Sequence, residues 1–377
     1  MPSPPSLATG ASAAHHATAP IAARALWPDL ARGATVLLVV AMHLMYLQLV
    51  PLLHGTAATT WHKPIVDWTT PLRMPLFFVV SGYLSARMLQ RSWRAGISGR
   101  IAPRAYLYVV WLAITALTLL GFAVWDGEEY DAWGYFVSEL WQPTGVLWYI
   151  WALAAFFLLA KATQRLPDWL VVGAAALSAI SVELVDVGSW KSIIAGFLPF
   201  VVGARAPQAI RTLTERTDWR HGIAVLALAI ALVALRRELP LPAISHLVMS
   251  AVCVAAVLML LPRIAHWRAL KPVRRVGRNT LAIFALHPLL IIAANRFLRD
   301  TPDVLETIAA NPWLAFLLPI VELLLVVIVS LGLERGLRRI GLRHVFEMPR
   351  FRAQRRRVRG HLAARQSECT NSSSISS

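Results

Sequence analysis

Charge is scarce in this chain. Of its 377 residues only 15% are Asp, Glu, Lys or Arg, against 57% that are hydrophobic. That balance excludes an ordinary soluble domain. Cysteine is scarcer still: Cys253 and Cys369 are the complement, which excludes a disulfide framework. There is no His/Cys/Asp/Glu spacing suited to a metal, no P-loop and no dinucleotide fingerprint. The Ala-, Ser- and Pro-rich stretch 1–26 lacks a charged start followed by a long apolar core, so a cleaved signal peptide is not expected. No fixed-period repeat and no matching pair of broken helices appear in the two halves, which counts against a transporter built from inverted repeats.

Apolar runs of bilayer-spanning length are abundant. Ten are read at 33–53, 69–89, 105–125, 145–160, 169–185, 190–206, 221–236, 243–262, 279–298 and 312–333. Each must satisfy its own backbone in lipid and is therefore expected to be helical. The expected fold is all-α: a polytopic membrane helix bundle with about ten transmembrane helices. Residues 1–26 read as a disordered cytoplasmic tail, 27–345 as the membrane domain, and 346–377 as a basic, then Ser-rich, cytoplasmic tail. The net charge of +17 is distributed by side rather than gathered into a nucleic-acid patch. With the N-terminus inside, the inner segments hold 30 Lys and Arg and the outer loops 6, with Arg73 inside a span. This positive-inside bias predicts a multi-pass cell-membrane protein with both termini cytoplasmic, partnered by the lipid bilayer and not by nucleic acid. The largest outer loop, 126–144, has five acids and no Lys or Arg.

Within the oily runs a few polar residues stand out. Arg32 and His43 are 11 residues apart, three turns plus about 20°, so they share a helix face with a rise of roughly 16 Å. That spacing puts the imidazole about halfway across the membrane. Two readings stay open for it: an interhelical hydrogen bond, or a general base. Asp29 precedes Arg32 by three residues, placed to cap the helix or pair with the arginine, and Gly33 admits another backbone or a ligand. In the second span, "PLRMPLFFVVSGYL", Pro71 and Pro75 are expected to bend the helix. Ser81 reads as packing or nucleophile. Arg73 reads as snorkelling to the interface or holding a ligand. In "GRNTLAIFALHPLL", His287 lies seven residues beyond Thr280 on one stripe, at a depth close to that of His43. Pro288 frees the carbonyl of Phe284. Trp148 and Tyr149 read as interface anchors or as an aromatic wall for a sugar. The cluster Arg87, Arg91, Arg94, Arg100 and Arg104 suits topology or a phosphorylated ligand.

Together these residues resemble the acyltransferase family 3 membrane proteins. The resemblance rests on Asp29-x-x-Arg32-Gly33 with His43, on Phe77-Phe78-x-x-Ser81-Gly82-Tyr83 preceded by Arg73-Met74-Pro75, on Leu147-Trp148-Tyr149, and on Gly277-x-x-Thr280 with His287-Pro288. It covers residues from about 30 to about 340, near the glucan-modifying branch. The basic loop matches only approximately, through Arg100, Pro103 and Arg104. The resemblance implies an O-acyltransferase moving acetyl or another short acyl group from acyl-CoA, acetyl-CoA foremost, to a hydroxyl of a sugar, glycolipid or cell-envelope glycan. It implies His43 as catalytic base or transient acyl carrier and Arg32 as donor-holding or charge-offsetting. Asp29, Ser81, Thr280 and His287 would support, Arg100 and Arg104 would hold coenzyme A, and Arg73, Trp148 and Tyr149 would meet the acceptor. No permanently bound cofactor or metal is implied. The competing class is a transporter or flippase for a sugar or lipid-linked saccharide.

Overall fold

The computed structural model describes residues 25–239 and 244–349. The predicted tails, apart from their innermost residues, and Cys369 lie outside the described residues. All regular structure among the described residues is helical. The longer helices are α1 (Trp27–Leu44), α2 (Ala57–Trp68), α3 (Thr70–Tyr83), α4 (Ala102–Asp126), α5 (Ala132–Trp141), α6 (Trp148–Ala162) and α7 (Asp168–Leu184). They continue with α8 (Trp190–Arg205), α9 (Trp219–Glu238), α10 (Ser245–Ile264), α11 (Lys271–Arg278), α12 (Thr280–Asp300), α13 (Pro302–Ala310) and α14 (Pro312–Arg339).

Among the described residues six helical stretches are long and apolar enough to cross a membrane, and a seventh qualifies if α8 and the helix after it, bent by 80°, form one span. Six or seven of the expected ten spans meet this length; the rest coincide with shorter helices. α3, α6, α7 and α8 have 14, 15, 17 and 16 residues. At about 1.5 Å per residue they are roughly 21–26 Å long, short of a hydrocarbon core of about 30 Å. Hydropathy marks apolar residues and does not see where the backbone turns. The stretch read as the outer loop 126–144 also differs from expectation. α4 ends at Gly127 in the left-handed conformation, a conformation that only glycine adopts at no cost. Asp131 then caps α5 by accepting from the amide of Gly134 at 2.7 Å. α5 folds back along α4, with the Tyr108 hydroxyl donating to the Glu139 carbonyl at 2.5 Å. The chain thus re-enters the bundle before α6 begins.

Packing is closest where glycines face backbone. A Cβ on Gly82 would lie 2.0 Å from the Phe200 carbonyl oxygen, and one on Gly203 2.1 Å from that of Val79, so α3 and α8 touch main chain to main chain. Without a hydrophobic drive between helices in lipid, such close van der Waals contact supplies much of the association. Around it Phe78, Trp111, Phe157 and Phe200 are fully buried. Leu117, Leu324, Leu325 and Ile328 stay exposed on the outside of the bundle, as lipid-facing residues do. Polar bonds gather at two ends. Arg205 bonds Asp168 at 2.6 Å and the Thr163 carbonyl at 2.5 Å at one end, here termed the basic end. Arg296 pairs with Asp126 at the other.

Candidate active site

The site begins at a second glycine crossing. A Cβ on Gly33 would fall 2.0 Å from the Val273 carbonyl oxygen, and one on Gly277 only 1.7 Å from that of Asp29. α1 and α11 therefore lie backbone against backbone. Gly33 admits main chain here, which explains the glycine without a ligand. The crossing sets two polar contacts at the basic end. Asp29 accepts from Arg278 Nε at 2.8 Å, and Arg32 Nη2 donates to Thr280 Oγ1 at 2.6 Å. Asp29 is not the helix cap: that position belongs to Leu26, which makes no side-chain bond.

From this anchor α1 and α12 bring the two histidines together. His287 Nε2 lies 3.0 Å from His43 Nδ1, and His287 Nδ1 lies 3.0 Å from the Ile283 carbonyl oxygen. The tautomers follow from chemistry. A carbonyl only accepts, so His287 Nδ1 carries the proton. In the neutral ring Nε2 then accepts, and the donor is His43 Nδ1–H. His43 Nε2 is left with its lone pair. His287 is 0% exposed and His43 half-buried, so the second ring is the inner support and the first is the accessible one. Immediately after His43, Met45–Leu49 forms a π-helical turn, a distortion frequent at functional sites. Aromatic rings line the way from Arg32 to the pair. The Arg32 guanidinium lies 6.0 Å from the Phe77 ring. Phe77 meets Tyr149 edge-on at 4.9 Å, Tyr149 meets Phe284 at 4.0 Å, and Phe284 meets His287 at 5.5 Å.

Arg100 and Arg104 stand at the basic end. Arg104 Nη1 donates to the Arg100 carbonyl at 2.8 Å. Both guanidiniums flank Phe157, at 5.8 and 4.4 Å from its centroid, and Arg32 is within Coulombic reach of both. Three cations this close repel one another, and a polyanion between them would relieve that. Lys161 joins them from α6. It is 2% exposed and donates to the Leu89 carbonyl at 2.6 Å and to Gln164 Oε1 at 2.5 Å. It also donates to the Arg91 carbonyl, and with Arg100 and Phe157 it lines a small cavity. Reading the sequence for function missed Lys161, which entered only as a topology count. The signal available was a lone ammonium closing the apolar run "FFLLAKA".

Arg73, Ser81, Trp148 and Tyr149 stand apart from the histidines' own hydrogen bonds. Arg73 is 6% exposed, so it does not snorkel. Its guanidinium donates to the Val66 carbonyl at 2.5 Å, Thr69 Oγ1 at 3.3 Å and Thr70 Oγ1 at 3.1 Å, clasping the α2–α3 junction. Ser81 sits beside Gly82 at the α3–α8 crossing, where smallness is what packing needs. Trp148 packs edge-on against Phe78 at 6.0 Å. Tyr149 is 6% exposed and so is no interface anchor, because α5 has already carried the chain into the bundle.

A multi-pass helical bundle holding a supported imidazole, with clustered cations at one end, is a membrane protein with the parts of a group-transfer site. The acyltransferase family 3 model, described as an acyltransferase domain, matches residues 25–334, and the chain belongs to that family. It is 31% identical over 157 residues to the nodulation protein NolL of Sinorhizobium fredii, a match covering 40% of this chain and 41% of NolL. It is 24% identical over 294 residues to the inner membrane protein YcfT of Escherichia coli, covering 71% of this chain and 79% of YcfT. No solved structure matches.

Proposed function

We propose that this protein transfers a short acyl group, acetyl foremost, from acyl-CoA to a hydroxyl of a sugar, glycolipid or cell-envelope glycan. The observation that carries the reading is the orientation of His43, whose Nδ1–H is tied to His287 while Nε2 keeps its lone pair. An acceptor O–H placed against Nε2 gives up its proton as its oxygen attacks the thioester carbonyl. The imidazolium that forms keeps its Nδ1–H bond to His287. The tetrahedral intermediate then collapses with cleavage of the C–S bond, and the coenzyme A thiolate leaves and takes the proton back from Nε2. Arg32, held by Thr280 at the basic end, stands with the cations that receive the donor. Arg100 and Arg104 hold the donor's phosphates at the basic end, and Lys161, its three donors spent on Leu89, Arg91 and Gln164, braces the chain beside them. The 30-to-6 charge asymmetry supports placing that end, and both termini, in the cytoplasm. His43 acts as base in this reading; the same lone pair would serve an acyl carrier, and a labelled acyl-imidazole trapped on His43 would assign that role instead.

The test is transfer itself. Purified protein is given radiolabelled acetyl-CoA and a panel of hydroxyl acceptors. Label should pass to an acceptor, or to water at a lower rate, and His43→Ala should abolish both. Accumulation of solute in proteoliposomes with no consumption of the thioester would replace this reading by transport.

A further inference from the structure

At the end of the bundle opposite Arg32 a cavity of about 310 Å³ opens between α3, α9 and α10. Its wall is formed by Asp67, Thr70, Arg236, Arg237 and His246 with Val233 and Met249. Arg236 donates to Ser245 Oγ, which aims its head between α9 and α10. Arg237 lies over the Trp68 ring at 5.8 Å. The one carboxylate in the wall, Asp67, is already engaged: the Tyr46 hydroxyl donates to one oxygen and Lys63 Nζ to the other, at 2.7 Å for the latter. Glu183, within Coulombic reach of His246, is paired with Lys191 at 3.0 Å. The wall therefore keeps an excess of positive charge over apolar side chains, in a space large enough for a sugar phosphate. Cations gathered in the last turn of a helix complement its dipole, and that accounts for Arg236 and Arg237 being near α9's end. It does not account for His246 and Thr70 lining the same space from two other helices.

The cavity is also joined to the site already described. Tyr46 follows His43 by three residues on the π-distorted stretch of α1, and it bonds the Asp67 that lines the cavity. Thr70 lines the cavity and accepts from Arg73, and Arg73 is within Coulombic reach of His43.

We infer that this cavity binds an oxyanion, a phosphate carried by the hydroxyl-bearing acceptor, and holds that molecule at the end of the bundle from which it approaches His43. The inference rests on the acyl-transfer reading for the word acceptor, and on the cavity alone for the anion. Arg237 and Arg236 supply charge-assisted donors, His246 a further polar contact, and Val233 and Met249 an apolar wall.

The full chain in detergent is titrated with inorganic phosphate and with glucose 1-phosphate, against sodium chloride at matched ionic strength and against glucose, reading Tm and equilibrium dialysis. A second arm uses nanodiscs of phosphatidylglycerol or phosphatidylcholine. Phosphate-dependent stabilisation is expected, with roughly tenfold weaker binding in Arg237→Gln and in Arg236→Gln and none of this loss in Arg299→Gln on α12. Stabilisation by phosphatidylglycerol alone, lost in the same variants, assigns the phosphate to a lipid headgroup or lipid-linked acceptor. Binding must persist in His43→Ala, which separates this site from the acyl-transfer chemistry. No response to either source, equal binding in all variants, or loss in His43→Ala equal to that in Arg237→Gln overturns the inference.

Discussion

Replacing His287 by alanine removes the acceptor that fixes His43 Nδ1–H at 3.0 Å and leaves the reacting ring in place. While the Val39 carbonyl still bonds the ring, the imidazolium formed in the reaction loses a hydrogen bond from a charged donor. Such a bond contributes about 1.5–3 kcal/mol, which corresponds to roughly 10- to 150-fold in rate. Removing the base itself, by His43→Ala, costs about 10²- to 10⁴-fold. The series His43→Ala, His287→Ala, His287→Gln should therefore rank in that order of severity, since the Gln amide oxygen can occupy the position of the lost Nε2 acceptor. The assay is turnover of radiolabelled acetyl-CoA by purified protein, with kcat and KM separated and Tm measured for each variant. The effect should fall on kcat, with donor KM little changed. If His287→Ala loses as much as His43→Ala while folding normally, or if Gln recovers nothing over Ala, the assigned direction of the relay is refuted.

Other perturbations test other parts of the account. Gly277→Ala places a methyl 1.7 Å from the Asp29 carbonyl; α1 and α11 must separate, so about 1–3 kcal/mol of stability should go, visible as a lower Tm with reduced activity. Lys161→Met leaves the Leu89 and Arg91 carbonyls without their donor; about 1–3 kcal/mol of stability should be lost, visible as a lower Tm. Glu139→Ala strips the amides of Thr144 and Gly145 of the carboxylate that accepts from them; about 1–3 kcal/mol of stability should be lost, with earlier proteolysis in the 132–147 segment.

Depth along a helix is legible in sequence because rise per residue is fixed. The spacings Arg32 to His43 and Thr280 to His287 placed two imidazoles at one level, and the structure sets them in hydrogen-bond contact. Which helix touches which is not legible that way. Asp29 meets Arg278, 249 positions on, through the Gly33–Gly277 crossing, while local spacing offered only Arg32 or the helix cap. Helix length is not legible for a related reason: apolar composition runs through 145–160 as through the longer spans, while α6 has 15 residues and α5 has re-entered beside α4. That turn depends on Gly127, Asp131 and Glu139 acting together, the last through a tertiary contact with Tyr108 that a hydropathy window does not register.

The central claim is that the free nitrogen of His43 takes a proton from an acceptor hydroxyl during acyl transfer. Its most direct test is acyl transfer from radiolabelled acetyl-CoA by the purified protein in proteoliposomes, wild type beside His43→Ala and His43→Gln. The account predicts labelled product and released thiol in equal amounts from the wild type, with both falling at least about 100-fold in either variant at unchanged Tm. Transfer at the wild-type rate by a folded His43→Ala protein would contradict it.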